Sequence, residues 1–301
     1  MIENCKLLFE NYSGRGFMAE NLFLLKRRIK SAKNIAQIAK AMEMVSASKI
    51  KRAQTIVEKN RAYSDRITIL TENIIAKTDL KKFSHPFLTQ NNSQKKLTLI
   101  FSPDKGLCGS LNTNLYKSLL DRDMSNTQVV IVEKKMESFA AKMNYNLTAS
   151  FHMGTAIPHY SVVFLLIKLV EQYYAQDDAG SVEVVYAKFD SIFQQTITTA
   201  RLLPIVQERE KDMDQTENEL PFLVEPNIHQ ILSDLLPYYV EVKLYDILMN
   251  AYTSEQAARM VAMQNAKNNA KDVADFLTLT YNKNRQEKIT NEILDLANTA
   301  T

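Results

Sequence analysis

From Glu20 to about Lys77, and again from Tyr238 to about Ala297, the chain contains neither Gly nor Pro. Uninterrupted segments of that length exclude folds made of short elements and tight turns and require long continuous helices. In the first, apolar residues recur at Leu22, Leu25, Ile29, Ala32, Ala36 and Ala39 in steps of three and four, the signature of a coiled-coil seam. The stripe is then expected to shift phase through Met42 and Val45 and to continue loosely by Ala53, Ile56, Tyr63, Ile67 and Leu70. At ~1.5 Å per residue this predicts a rod on the order of 80 Å long. In the second segment, Val240, Leu244, Ile247, Ala251, Ser254, Ala258 and Val261 alternate steps of four and three, and a second phase runs through Ala266, Ala270, Val273, Leu277 and Tyr281. A polar helix of this length gains little from propensity alone and needs a partner for its stripe. Each end of the chain supplies the other's partner, and an antiparallel coiled coil follows. The many Ala, Ser and Met residues at the seam make it slim.

The middle of the chain has another character. The apolar run Leu97 to Phe101 is followed by SPDKGLCGS and then by the helical pattern Leu111 to Leu120: a strand, a turn and a helix. Gln128 to Val132 reads as a second strand, Glu133 to Lys142 and Ser161 to Gln176 as helices, and Val182 to Phe189 as a buried strand with Thr196 to Ala200 beside it. Strands alternating with helices indicate an inserted, Rossmann-like doubly wound α/β domain, so the fold class is α/β with a long coiled coil. The expected division is a disordered leader or misassigned start over 1–18, with Met18 as the alternative start, a coiled-coil helix over 19–80, the α/β domain over 95–205, an acidic linker over 206–228 and the second coiled-coil helix over 229–301.

Composition narrows the function. A net charge of +3 is too mild to make nucleic acid the main partner, although Lys and Arg crowd the first helix between Leu22 and Arg66 against only Glu43, Glu58 and Asp65. That basic face has almost no interleaved aromatics; it is either solvated or steered toward an acidic protein surface. Cys5 and Cys108 lie far apart and match no metal or disulfide framework, which suits a reducing compartment. The longest apolar run, Val162 to Val170, contains Lys168 and is under half the ~20 residues needed to cross a bilayer.

The loop Ser102 to Gly109 sits where an α/β domain would bind phosphate, but it lacks both the GK[ST] ending of a phosphate loop and the third Gly of a dinucleotide fingerprint. Its glycines, Gly106 and Gly109, are better explained by a tight turn, and Cys108 by a small buried hydrophobe. His85, His152, His159 and His229 are scattered without ligand spacing, which gives no metal or general-base site. Met42, Met44, Met260 and Met263 fall on helical seams and read as adaptable packing. No catalytic, cofactor-binding or metal site is expected.

Three segments resemble the gamma subunit of F-type ATP synthases, the central rotor shaft. LKRRIKSAKNIAQIAKAMEMVSASKIKRAQ (25–54) is similar to the family's first helix and SPDKGLCGSLN (102–112) to its central loop. TSEQAARMVAMQNAKNNA (253–270), continuing into LTYNKNRQEKITNEILDL (279–296), resembles its last helix, and RLLPI (201–205) the segment closing its central domain. The resemblance implies a non-catalytic subunit whose helices form an axle inside a ring of alpha and beta subunits, with the α/β domain as a foot on the membrane ring of c subunits and an epsilon subunit beside it. It implies coupling of transmembrane ion flow to ATP synthesis or hydrolysis, no cofactor, no nucleic acid, and a peripheral place on the cytoplasmic face of a bacterial inner membrane. By position it carries contacts to the catalytic ring onto Met42, Arg259, Gln286 and Thr290. Arg259 would meet an acidic loop, and Gln286 with Thr290, four residues apart on one helix face, would form a polar catch. Ser110 stands where the family's common GLCGG form ends in glycine, and no inserted cysteine pair of the redox-switchable chloroplast kind is present. The competing class is a coiled-coil scaffold or nucleic-acid-binding protein in which the α/β domain is a spacer.

Overall fold

The computed structural model describes residues 22–78, 85–89, 93–176, 179–205, 225 and 227–299. The leader expected over 1–18, and most of the linker expected over 206–228, lie outside the described residues. Two helices dominate: α1 (Leu22–Lys77) and α5 (Ile228–Thr299), the latter opened by Asn227, whose side-chain oxygen accepts from the Gln230 amide at 2.8 Å. α5 starts ahead of Pro237, which it carries in its third turn. The chain divides into two compact units, 1–42 with 263–301 and 43–262.

In the second unit the helices run antiparallel. Ala53 packs with Met249 and Tyr252, while further along α1 the Tyr63 hydroxyl meets that of Tyr238 at 2.6 Å. Numbers that rise on one helix fall on the other. In the first unit Leu25, Ala32 and Ala39 are buried on α1 and Met263 and Ala274 on α5. Spaced by seven, the buried series 25, 32 and 39 continues on α1 at Ser46 and Ala53, and Ile50, Ser64 and Thr71 follow the companion positions of the heptad. The phase shift expected at Met42 and Val45 therefore does not occur; Val45 is 56% exposed. The apolar pattern misleads at this point because the seam changes from apolar to small hydroxyl residues without changing phase. Thr71 satisfies itself locally by donating to the Ile67 carbonyl at 2.7 Å, and Ser64 donates across the seam to Asp246 at 3.3 Å.

Between the helices in sequence lies a five-stranded sheet of β1 (Lys96–Phe101), β2 (Thr127–Val132), β3 (Asn146–Phe151), β4 (Ser181–Phe189) and β5 (Gln195–Leu203) in the order β3-β2-β1-β4-β5. The first four strands are parallel and β5 pairs antiparallel to β4. The crossovers are α2 (Leu111–Leu120), α3 (Glu137–Lys142) and α4 (Ser161–Ala175). β1 is central and covered on both faces, which is why it reads as a continuous apolar run. Leu97, Leu99 and Phe101 point to the side filled by Leu166 and Val170 of α4 and Leu236, Val240 and Leu244 of α5. Ile100 points to the other side, with Leu115 and Leu119 of α2 and Ala140 of α3. β3, the sheet's far edge, has no counterpart in the sequence analysis: NLTASF is polar and largely exposed because only one neighbour covers it.

Candidate functional site

In a doubly wound sheet the chain turns opposite ways out of adjacent strands at one point, and a crevice opens there beyond the strand ends. Here that point lies between β1, which is followed by α2 and β2, and β4, which is reached from β3 through α4. The loop 102–110 forms its rim. Two of its residues adopt left-handed backbone, Leu107 (φ 63°) and Gly109 (φ 60°), so the glycine requirement falls on Gly109 and not on Gly106. A β-carbon at Gly109 would stand 3.8 Å from that of Ala262 on α5. Cys108 is buried beside Leu111 and Ala187, with burial pushing its thiol pKa up. It packs as a small hydrophobe.

α5 fills the crevice. Every side chain from Tyr252 to Ala257 is buried, although the run includes Thr253, Ser254, Glu255 and Gln256. Leu248, Ala251, Tyr252 and Glu255 line a partly open pocket of about 30 Å³ with Ser102, Glu133 and Gly154. That is room for a water or two, against the ~300 Å³ or more of a small-molecule pocket.

The charges at this junction are arranged across four elements. Arg259 Nη2 donates to Glu255 Oε1 at 2.5 Å and to the Lys105 carbonyl at 3.3 Å; both side chains of the pair are nearly enclosed. Glu255 also accepts from the Asp104 backbone amide. Desolvation pushes its carboxyl pKa up while Arg259 pulls it back. From α1, Lys49 donates to the Thr155 carbonyl at 2.5 Å, and burial and the Arg259 charge lower its pKa. After β2, Glu133 accepts from the Met153 amide at 3.1 Å through Oε1, while its Oε2 is buried without a hydrogen-bond partner among the described residues. Both axial helices are thus pinned to the loops beyond the strands by charge-assisted hydrogen bonds, the stronger kind.

The four ring-contact residues inferred from the sequence fall in different settings. Arg259 is 7% exposed and its guanidinium is engaged within the chain as described. Met42 is half-buried on α1. Gln286 and Thr290 are exposed on the last part of α5, and the Thr290 hydroxyl donates to the Gln286 carbonyl at 3.0 Å, so the two are neighbours on one face. Met42, Gln286 and Thr290 belong to the first unit and Arg259 to the second. Glu133, Lys49 and Asp104 sit in no spacing pattern that marks a site, whereas Glu255 stands four residues before Arg259 on α5, a spacing that pairs the two. The available signal was a polar run, TSEQ, inside a seam that otherwise demanded apolar residues.

Comparison with known proteins agrees with this architecture. The family model described as ATP synthase matches residues 21–301. The ATP synthase gamma chain of Dehalococcoides mccartyi is 35% identical over 280 residues, covering 92% of this chain and 96% of the relative. The rotor of Euglena gracilis mitochondrial ATP synthase contains a chain of similar fold, with TM-score 0.63 and 18% identity over 89% of this chain and 98% of that one. A chain from the central stalk and c-ring of the Tetrahymena thermophila mitochondrial enzyme matches with TM-score 0.56 and 25% identity over 76% of this chain and 99% of its own. On the match across nearly its whole length, this chain belongs to the ATP synthase gamma-chain family.

Proposed function

We propose that this chain is the central-stalk rotor of an ATP synthase, a non-catalytic subunit that couples transmembrane ion flow to ATP synthesis or hydrolysis in a surrounding catalytic ring. The observation that carries this is the joint between sheet and helices. α1 through Lys49, and α5 through Glu255 and Arg259, are both fixed to the strand-end loops of one α/β domain. A turning force applied to the domain reaches both helices through that joint, which is what a shaft needs. The work is gating by contact, with no bond made or broken on this chain.

Its partners are the alpha and beta ring subunits, the epsilon subunit and the membrane ring of c subunits. Among the described residues no helix is long and apolar enough to cross a membrane. The chain is peripheral and takes its membrane contact through the complex, on the cytoplasmic face of a bacterial inner membrane. Met42, Gln286 and Thr290 mark the contacts with the ring, whereas Arg259, 7% exposed and bound to Glu255 and the Lys105 carbonyl, belongs to the joint. Support for a ring-facing surface on the first unit comes from its exposed apolar side chains: Ile35 is 55% exposed, Ile38 62%, Leu279 71% and Ile293 61%. Such residues in number on a slender helix pair mark an interaction surface.

The test is reconstitution. Ring subunits and the ion-conducting membrane sector, assembled in vesicles with this chain, should pump ions on ATP addition, and the same assembly without it should hydrolyse ATP and pump nothing. Equal pumping with and without the chain would overturn the proposal.

A further inference from the structure

Glu133 is the residue of the strand-end junction that the rotor function leaves unexplained. It follows β2 immediately, its backbone sits at φ 78° and ψ 155°, and it is only 5% exposed. That backbone conformation is glycine's, and holding a side chain there costs on the order of 1–3 kcal/mol. The strain is accompanied by a second cost, a buried carboxyl oxygen with no partner among the described residues. Both costs disappear with a glycine, so what the side chain does has to be sought in its carboxyl group.

The surroundings say what that group meets. From the loop after β1 come Asp104 and Lys105; from the loop after β3, the Met153 amide, which donates to Oε1, with Gly154 beside it; from α5, Glu255, Arg259 and the buried Tyr252 hydroxyl, itself without a partner among the described residues. Lys49 of α1 is directed to Thr155 and is felt by Glu255 and Asp104. Arg259 is engaged by Glu255 and the Lys105 carbonyl, while Glu133 faces Glu255 across a pocket of about 30 Å³ that both line with Tyr252, and feels the Asp104 charge from the loop after β1. A third negative charge at this spot would repel the other two, and a neutral carboxylic acid would not.

We propose that Glu133 is a proton-holding latch: protonated, it lets the loops beyond β2 and β3 close on the enclosed turn of α5, and its ionisation loosens that grip. Desolvation and the Asp104 charge raise its pKa from 4.5 to about 7, which puts the change near neutral pH. The linkage has a definite sign. An acid whose folded pKa is raised stabilises the fold fully below the unfolded value, and that contribution is lost as pH rises through the folded value. The window is therefore from about 4.5 to about 7, and the contribution is gone above it. The latch is a property of this chain alone and does not depend on the rotor function.

The experiment uses the full chain, wild type beside Glu133→Gly and Glu133→Gln. Glycine suits the backbone and removes the carboxyl; glutamine keeps the shape and cannot ionise. Unfolding is measured by denaturant between pH 4.5 and 8.5. Glu255, Glu241 and Asp246 also have raised pKa values and contribute slopes of their own, so the quantity read is the difference between wild type and variant. That difference should fall by up to tenfold in the folding equilibrium per pH unit through the window and be flat above about pH 7.5. Carbon-13 NMR of the wild-type Glu133 carboxyl should show a midpoint near neutrality. A carboxyl that titrates with the ordinary glutamates, or differences that do not change with pH in both variants, would overturn the latch. Should one variant fail to fold, the other and the wild-type NMR titration still decide.

Discussion

The two units of the chain handle the apolar side chains of their central elements in opposite ways. In the second, Leu97, Leu99 and Ile100 of β1 are fully buried and each faces a filled layer. In the first, the seam rests on Leu25 and on small residues such as Ala32, Ala39 and Ala274, while Ile35, Ile38 and Leu279 stand in the open. Each methyl removed from water is worth roughly 0.8 kcal/mol, so an alanine seam holds two helices close but not firmly. The central strand of the second unit keeps its large side chains inside. The other unit uses small residues to keep the pair slim and turns large ones outward, where only a partner can cover them.

The sharpest way to separate the regions is to remove bulk from the sheet of the second unit and add it to the helix seam of the first. Leu99→Ala, in the central strand between Val130 and Val184, should cost about 2–5 kcal/mol, because the surrounding layers cannot collapse onto the cavity. Denaturant unfolding of the full chain measures it, and a loss below about 1 kcal/mol would mean the sheet is loosely packed. Ala39→Leu, at a seam position 4% exposed, inserts volume where the helices approach, and should cost about 1–3 kcal/mol by overpacking. Hydrogen exchange should place that loss within 22–42 and 263–299, with the sheet's protection unchanged. Loss of protection in the strands as well would show that the two units unfold as one.

The same contrast explains what was legible in the sequence. The helices were legible because 3.5-residue spacing survives over long stretches, and β1, β2 and β4 because strands covered on both faces are continuously apolar. β3 was hidden by being an edge. The heptad beyond Ala39 is hidden because the polar residues Ser46, Ser64 and Thr71 hold seam positions, with Thr71 bonding within its own helix and Ser64 to Asp246 on the other. At the junction, Glu255 and Arg259 have the i,i+4 spacing of a helix-face ion pair, whereas the Lys105 carbonyl reaches Arg259 only through the tertiary placement of a loop more than a hundred residues earlier. No local pattern encodes that. Glu133 was assigned to a helix start, and only its backbone conformation and burial reveal it as a separate feature.

The smallest expected effect on stability is also the one that tests the outward-facing surface. Gln286→Leu with Thr290→Val replaces two exposed polar side chains on one turn of α5. Thr290 returns its hydroxyl to the Gln286 carbonyl, a bond that competes with the helix and adds little to it. Neighbouring Lys283–Glu287 and Lys288–Glu292 pairs, at 3.9 and 3.7 Å on exposed side chains, support the helix by a few tenths of a kcal/mol each and remain in place. The isolated double variant should therefore unfold within about 0.5 kcal/mol of wild type. In the assembled complex the outcome should differ: with the polar catch removed, ATP-driven ion pumping should fall relative to ATP hydrolysis. Unchanged stability with reduced pumping assigns the pair to the ring contact. A matching loss in both would mean that the two residues serve the helix itself, and unchanged values in both would remove them from the contact surface and leave Met42 and the exposed apolar side chains to carry it.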